Sequence, residues 1–330
     1  MINDFEHQII NILADGKFHS GENIATELGI TRASVWKKIK IAEEEYALDI
    51  QAISGKGYRL LGGLDLLNQS QIVEDLLSKS LAEIIDLTVF NKIESTNQYL
   101  LDRKNSGTNN FSVCLAEMQT HGRGRRGKEW LSPFAANINL SIGCTLNMPM
   151  FKIAGLSIAV GVAVAEALSQ LGIESIALKW PNDIHINAKK IAGLLVELKG
   201  EAEGPVKTVI GIGLNVKLPK GTQNEIDQPV TDVFSSVSLI CPNRNQISVK
   251  LIEKVSAAVL EFSSKGLLPF ITRWQEYDVY LGQSVVIKNA HNQVEGIYKG
   301  IDVDGGFILE NNEGITVHNA GEVSMRAVTS

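Results

Sequence analysis

Gly122-Arg123-Gly124-Arg125-Arg126-Gly127 sets three glycines and three guanidinium groups in six positions, a composition that suits neither a helix, a strand nor a core. Glycine lets the backbone take positive φ and come close to a ligand, and arginine presents a planar fork of donors matched to phosphate or carboxylate. The chemistry on offer is anion binding; the alternative is a solvated surface loop. The stretch lies mid-chain between apolar segments, which separates it from a disordered Gly/Arg tail of the RNA-binding kind.

A second cluster follows at Leu178-Lys179-Trp180-Pro181-Asn182-Asp183-Ile184, where a cation, an indole, an amide and a carboxylate flank a proline. The proline fixes φ and removes a donor, so the turn is stiff and can hold Asn182 and Asp183 in a set geometry. Asp183 can bind magnesium or orient Lys190. Lys189-Lys190 runs into the apolar, strand-like Ile191-Ala192-Gly193-Leu194-Leu195-Val196-Glu197. A lysine there is costly unless it meets an anion or snorkels at a strand edge. Val209-Ile210-Gly211-Ile212-Gly213-Leu214-Asn215-Val216 reads as another strand, whose glycines open space beside Asn215 or mark a bulge or tight packing. Glu94-Ser95-Thr96-Asn97 precedes the helical Gln98-Tyr99-Leu100-Leu101, where hydroxyls cap the helix or bind a polar ligand.

The elements that must position these groups are bounded by composition. The 330 residues, 44% hydrophobic and 21% charged, can bury a sizeable core, and the length suggests two or three domains. A formal net charge of −6 argues against a chain dominated by nucleic-acid contacts but allows a local basic face. Cys114, Cys144 and Cys241 are odd in number and free of any CxxC pairing, which fits a reducing cytoplasm with no disulfide framework or zinc site. Met1 to Glu6 lacks the character of a signal peptide. The apolar run Ile153 to Leu171 is broken by Ser157, Glu166, Ser169 and Gln170, so it predicts a buried helix and no membrane partner.

The first sixty-odd residues read as a winged helix-turn-helix. Phe5, Ile9, Ile12 and Leu13 keep helical spacing; Ile24, Ala25 and Leu28 follow a capping Ser20; after Gly29-Ile30-Thr31, Val35, Ile39, Ala42 and Tyr46 form the inward stripe of a third helix. Its outward face is basic. Arg32, Lys37, Lys38 and Lys40 can meet phosphates while Thr31, Arg32, Ser34 and Trp36 approach base edges. Two strands, Ile50 to Ile53 and Tyr58 to Leu61, joined by Ser54-Gly55-Lys56-Gly57, make a wing that adds Lys56 and Arg59. Residues 1–62 nevertheless hold nine acids against seven bases, so Glu43-Glu44-Glu45 must point away from DNA. A helical module for protein contacts is the alternative.

Gly62-Gly63 and Asn68-Gln69-Ser70 mark a linker, after which Gln71 to Ile85 reads as helix and Leu87 to Phe90 as strand. Near the C-terminus, Ser284 to Ile287, Val294 to Tyr298, Gly306 to Leu309 and Gly314 to Val317 are short alternating strands. The division expected is residues 1–63 for DNA binding, 64–275 for the chemistry and 276–330 for a small β domain.

Taken in order and spacing, Ser95-Thr96-Asn97, the Gln119 to Gly127 segment, Lys179 to Asp183, Lys190 to Gly193 and Gly211 to Asn215 resemble the motifs of the bifunctional biotin protein ligases that also repress the biotin operon, over nearly the whole length. The resemblance implies an α/β (α+β) multidomain fold: a mixed-sheet catalytic domain unlike a Rossmann sheet, between the winged helix-turn-helix and an SH3-like β-barrel. It implies that biotin's carboxylate attacks the α-phosphate of ATP to give biotinyl-5′-AMP and pyrophosphate, and that a lysine of a biotin carboxyl carrier protein, the acetyl-CoA carboxylase subunit, then attacks the anhydride.

By the same resemblance Ser95, Thr96, Asn97, Gln119 and the Arg123-Gly124 backbone contact the biotin rings, with Arg125 beside them, and Lys190 meets the carboxylate and bridging phosphate. Gly122, Arg125, Arg126, Lys179, Asn182, Asp183 and Asn215 lie toward nucleotide and magnesium, Trp130 forms an apolar wall, and Arg326 reaches back from the barrel. Arg125, Lys190 and Asp183 would carry the catalysis. Some relatives stack adenine on a tryptophan after the GxGxN strand, but from Val216 to Ser238 this chain has none and Phe234 is the sole aromatic. The adenylate would also act as co-repressor, driving a homodimer onto operator DNA. A lipoate ligase and a ligand-sensing regulator without turnover are the other readings.

Overall fold

In the computed structural model, which describes residues 5–79, 81, 85–103, 110–237, 241–288, 293–319 and 324–327 (288 and 324–327 as backbone alone), three helices open the chain: α1 (Phe5–Leu13), α2 (Gly21–Leu28) and α3 (Arg32–Tyr46). Ser20 and Thr31 cap the second and third by accepting from Asn23 N and Ser34 N. The predicted stripe Val35, Ile39, Ala42 and Tyr46 is buried. The wing is the hairpin β1 (Ile50–Ile53) and β2 (Gly57–Leu60). Gly57 is obligatory there: its φ is +98°, and a Cβ would lie 2.0 Å from the His19 carbonyl oxygen, which pairs with the wing.

Helix α4 (Gln69–Leu77) leads to β3 (Ile85–Ile93), α5 (Thr96–Asp102), β4 (Phe111–Gln119) and β5 (Asn137–Leu146). The helix expected over Gln71 to Ile85 therefore stops at Leu77. Ile85 instead starts a strand, paired in parallel with Phe111, so tertiary pairing overrides helical spacing. Then come α6 (Leu156–Gln170), the hairpin β6 (Ile176–Lys179) and β7 (Asp183–Ile186), the long strands β8 (Lys189–Gly200) and β9 (Val206–Asn215), and α7 (Val233–Ser236), α8 (Arg244–Lys265) and α9 (Leu268–Gln275). The sheet runs β3-β4-β5-β9-β8-β7-β6, with β3 and β4 parallel and the other pairs antiparallel, the mixed sheet expected.

One face of that sheet, through Ile138, Leu140, Ile142, Ile210, Ile212 and Leu214, packs on α6 and α8. By length and composition Met150–Gln170 passes as a membrane span, yet 72% of its most apolar window is buried inside the protein, so it is the core helix expected. The opposite sheet face carries α5, whose Leu100 packs on Cys114 and Val209, and beyond it loops and polar groups.

The C-terminal residues form an antiparallel sheet, β13-β12-β11-β10-β14, from β10 (Ser284–Lys288), β11 (Gln293–Ile301), β12 (Phe307–Asn311), β13 (Gly314–His318) and β14 (Ser324–Ala327), consistent with an SH3-like domain. Trp180, from the Lys179-to-Asp183 motif, anchors it: its Nε1 donates to Gly305 O at 3.0 Å and its ring packs on Phe307.

The winged module is seated by several contacts. Tyr46 packs on Phe134 with ring centroids 4.5 Å apart, Glu45 pairs with Lys92 at 2.8 Å, and the buried Arg244 bonds Asp65 O, Asn137 O and Glu117. Glu45 thus points toward the seven-stranded sheet, through Lys92 of β3.

Candidate active site

Strand register lays one row of residues across the open sheet face. Asn139 faces Gly213, Gly213 faces Gly193, Gly193 faces Asp183 and Asp183 faces Lys179. Two glycines in the middle leave a trough in the row, and the Trp130 indole lies against them along one side. A Cβ on Gly213 would lie 2.3 Å from Trp130 Cε2, and one on Gly193 would lie 3.5 Å from Trp130 Cζ3 and 3.2 Å from Lys190 Nζ. The indole and the Lys190 ammonium therefore meet above Gly193. Among the described residues the buried Trp130 Nε1 has no hydrogen-bond partner.

A neighbouring row is polar. Ser141 faces Gly211, and Gly211 faces Leu195. A Cβ on Gly211 would lie 2.5 Å from Asn97 Oδ1, so the GxGxN glycines give close approach to Asn97 and Trp130 rather than a bulge. The Ser141 hydroxyl lies 2.7 Å from Thr96 Oγ1 and 2.5 Å from Asn97 Oδ1. Thr96 N and Oγ1 both donate to Gln119 Oε1, at 2.9 and 3.0 Å. Asn97 Nδ2 donates to Glu197 Oε2 at 2.7 Å, and Arg123 Nη2 donates to the same oxygen at 3.1 Å. Ser95 is used as the α5 cap, accepting from Gln98 N.

At the other end, Lys190 Nζ meets Asp183 Oδ1 at 2.7 Å, both largely buried, which satisfies the lysine without snorkelling. Arg125 donates to Asn182 Oδ1 at 3.0 Å, and Asn182 is itself tied to Leu194 O at 2.9 Å. Burial, and next the neighbouring Arg126, hold the Arg125 guanidinium below its usual range, a state an anion would relieve. Asn215, buried, donates to Thr231 O at 3.1 Å. The Gly122-to-Gly127 loop is a small hairpin, with Gly124 N donating to Lys128 O and Trp130 N to Gly122 O. Arg126 sits at φ 57°, an arginine in the left-handed region, at a cost of about 1 kcal/mol.

The structure thus gathers Thr96, Asn97, Gln119, Arg123, Arg125, Trp130, Lys179, Asn182, Asp183, Lys190 and Asn215 on one sheet face and its covering loop. Arg326 pairs with Val286 through its backbone, and its side chain lies outside the described residues. Phe234 is 54% exposed with Lys217 Nζ 4.7 Å from its ring centroid. Reading the sequence missed Glu197, Asn139, Ser141 and His185. The alternation Asn137-x-Asn139-x-Ser141 in an apolar strand was the available signal for two of them; Glu197 was one carboxylate among many. His185, 6% exposed and on the face of β7 that carries Asp183, has no hydrogen-bond partner at either ring nitrogen among the described residues.

On the winged module, Arg32, Lys37 and Lys56 are exposed and Trp36 is 56% exposed on the outer face of α3. Lys38 does not share that face: it turns back to Glu6 at 2.8 Å over the Phe5 ring. Arg59 stacks on Phe18 and donates to Gln51. Thr31 and Ser34 bond each other at the cap.

Residues 6–59 match the HTH domain family, residues 89–215 the Biotin/lipoate A/B protein ligase family, and residues 280–326 the Biotin protein ligase C terminal domain. The chain is 37% identical to the bifunctional ligase/repressor BirA of Salmonella typhimurium, over 97% of each chain. The chain belongs to the biotin protein ligase family, in its bifunctional ligase/repressor form. BirA of Escherichia coli is 36% identical, again over 97% of each. A biotin protein ligase from Aquifex aeolicus, solved in complex with biotin and ATP, superposes with a TM-score of 0.62 at 27% identity, covering 73% of this chain and 99% of that one.

Proposed function

We propose that this ligase binds biotin in the trough between Trp130 and the polar row, and ATP at the end formed by Arg125, Asn182, Lys190 and Asn215. The carboxylate of biotin attacks the α-phosphorus and pyrophosphate leaves. A lysine amine of a biotin carrier domain then attacks the acyl carbon, AMP leaves, and the amine's proton passes to solvent. The observation that carries this reading is the meeting of a buried ammonium, Lys190, with an apolar wall, Trp130, above a single glycine. A carboxylate on an apolar tail needs that pairing of charge and surface. Two anions have to approach one another for the first step, and cations on Arg125 and Lys190 offset their repulsion in a site shielded from water.

Each remaining side chain has a defined task. Thr96, Gln119 and Asn97 offer hydroxyl and amide groups to a polar ring. Asp183 holds Lys190 in place until a substrate anion competes for it. Among the described residues no group of three or more His, Cys, Asp or Glu side chains could hold a metal, and Asp183 is already engaged with Lys190. Magnesium needs only one or two carboxylates when phosphates and water supply its other ligands, so it would enter with the nucleotide, and Asp183 is the carboxylate at this end that could share it.

The winged module, with Arg32, Trp36, Lys37 and Lys56 outward, would bind a palindromic operator as a homodimer when the adenylate is bound, in the cytoplasm. The match to the Biotin protein ligase C terminal domain and the Aquifex aeolicus ligase solved with biotin and ATP support biotin over lipoate, as does the amide and hydroxyl lining. Incubation with biotin, ATP and an isolated biotin carrier domain tests the reading. The carrier should gain the mass of one biotinyl group on one lysine. An unmodified carrier, with lipoate accepted instead, would replace it with the lipoate reading.

A further inference from the structure

Oε2 of Glu197 joins two parts of the site that differ in how firmly they are held. Asn97, 2.7 Å away, is buried and fixed by Ser141 from the other side. Arg123, 3.1 Å away, has 40% of its side chain exposed and belongs to the covering hairpin. The backbone bonds of that hairpin, Gly124 N to Lys128 O, Lys128 N to Arg125 O and Trp130 N to Gly122 O, shape the loop from within. Side-chain ties fasten it to the sheet, among them Arg125 to Asn182 at the Lys190 end and Arg123 to Glu197 at the Asn97 end.

We propose that Glu197 is the positioning residue that latches the Gly122-to-Gly127 hairpin over the Thr96, Asn97 and Gln119 half of the trough, so that it governs retention of the ring-bearing substrate and not the chemical step. A partly exposed pair of this kind contributes little and releases readily, unlike the buried Arg244–Glu117 pair. That is the strength a latch needs if substrate must pass beneath the loop. The ties also divide the labour by position: Arg125 serves the nucleotide end, whereas Arg123 and Glu197 serve the ring end. The assignment of biotin to that half rests on the proposed function; the latch itself does not.

Glu197→Gln tests it, because the amide keeps an oxygen for Asn97 while removing the charge that holds Arg123. Hydrogen exchange of the free protein, read by mass spectrometry, should quicken over residues 122–130 by about three-fold or more, with β8 and β9 unchanged. KM for biotin in pyrophosphate exchange should rise by about three-fold, while KM for ATP and the rate at saturating biotin stay within about two-fold. Arg123→Gln should loosen the loop equally, and the double variant should exchange no faster than either single one. Wild-type loop exchange in both single variants, or additive effects in the double, would overturn the latch. Absence of biotin turnover in the wild type would sink the ligase reading instead, and loop exchange would still decide the latch.

Discussion

Lys190 and Asp183 face one another from adjacent strands, Nζ to Oδ1 at 2.7 Å, and Asp183 stands directly opposite Gly193, the residue over which Trp130 and the Lys190 ammonium meet. Lys190, whose own partner in the ladder is His185, thus reaches along the strand to the register position that carries Asp183 and the apolar wall. A buried ammonium held by a carboxylate can exchange partners when a second anion arrives.

The glycine row makes the first prediction. Gly213→Ala puts a methyl where Trp130 Cε2 now lies, and the clash is with a loop side chain rather than with the sheet backbone. Trp130 should leave the trough while the fold persists, with unfolding free energy changed by less than about 1 kcal/mol and biotin-dependent exchange reduced by about ten-fold or more. Wild-type exchange in Gly213→Ala would mean that the indole does not line the substrate site.

Arg244 and Glu117, 2.5 Å apart and each almost fully buried, also hold the segment joining the winged module to the sheet, through Asp65 and Leu67. Arg244→Met leaves a buried carboxylate unpaired and should cost about 3–5 kcal/mol in urea unfolding. Adding Glu117→Gln should recover part of that loss, and strictly additive costs would show that the two charges are not coupled.

Burial, and next the charge of Lys179, push His185 down to about 4 from its ordinary 6.5. The folded chain refuses a proton that the unfolded chain accepts between those values. His185 therefore leaves stability whole above about pH 6.5, erodes it as pH falls toward about 4, and has no further effect below that, for a total of about 3 kcal/mol. His185→Gln should lose less stability than wild type between about pH 7 and about pH 4; parallel losses would refute the assignment.

Lys37 is exposed on α3, and the proposed function gives it a phosphate contact rather than a base contact. Lys37→Ala should weaken operator and random duplex alike and lower the slope of log affinity against log salt by about one. Lys38, paired with Glu6, should leave that slope unchanged when replaced by alanine. The opposite ranking would place the recognition face on the other side of the helix.

Much of the site was readable because its chemistry is local: the Arg-rich loop, the stiff Lys179-to-Asp183 turn, the strand lysine and the GxGxN glycines each announce themselves in a few residues. What joins them was not. That Gly213 faces Gly193, and Gly193 faces Asp183, is fixed by register between strands far apart in sequence. Glu197 acquires its role only when β8 brings it beneath Asn97 and Arg123. Lys38 was assigned to the DNA face from its neighbours, yet α1 supplies a carboxylate that turns it inward. The helix expected to reach Ile85 ends at Leu77 because Ile85 pairs with Phe111, a contact that helical spacing does not report. Trp180, which enriched the Lys179-to-Asp183 motif, serves the packing of the C-terminal sheet.

Exchange of labelled pyrophosphate into ATP, driven by biotin and compared between the wild-type chain and Lys190→Ala with lipoate as the control acid, tests the account most directly. Biotin should support exchange and lipoate should not, and removal of the Lys190 ammonium should lower the rate by about a hundred-fold or more. Exchange that persists undiminished in Lys190→Ala, or that biotin fails to drive, would contradict it.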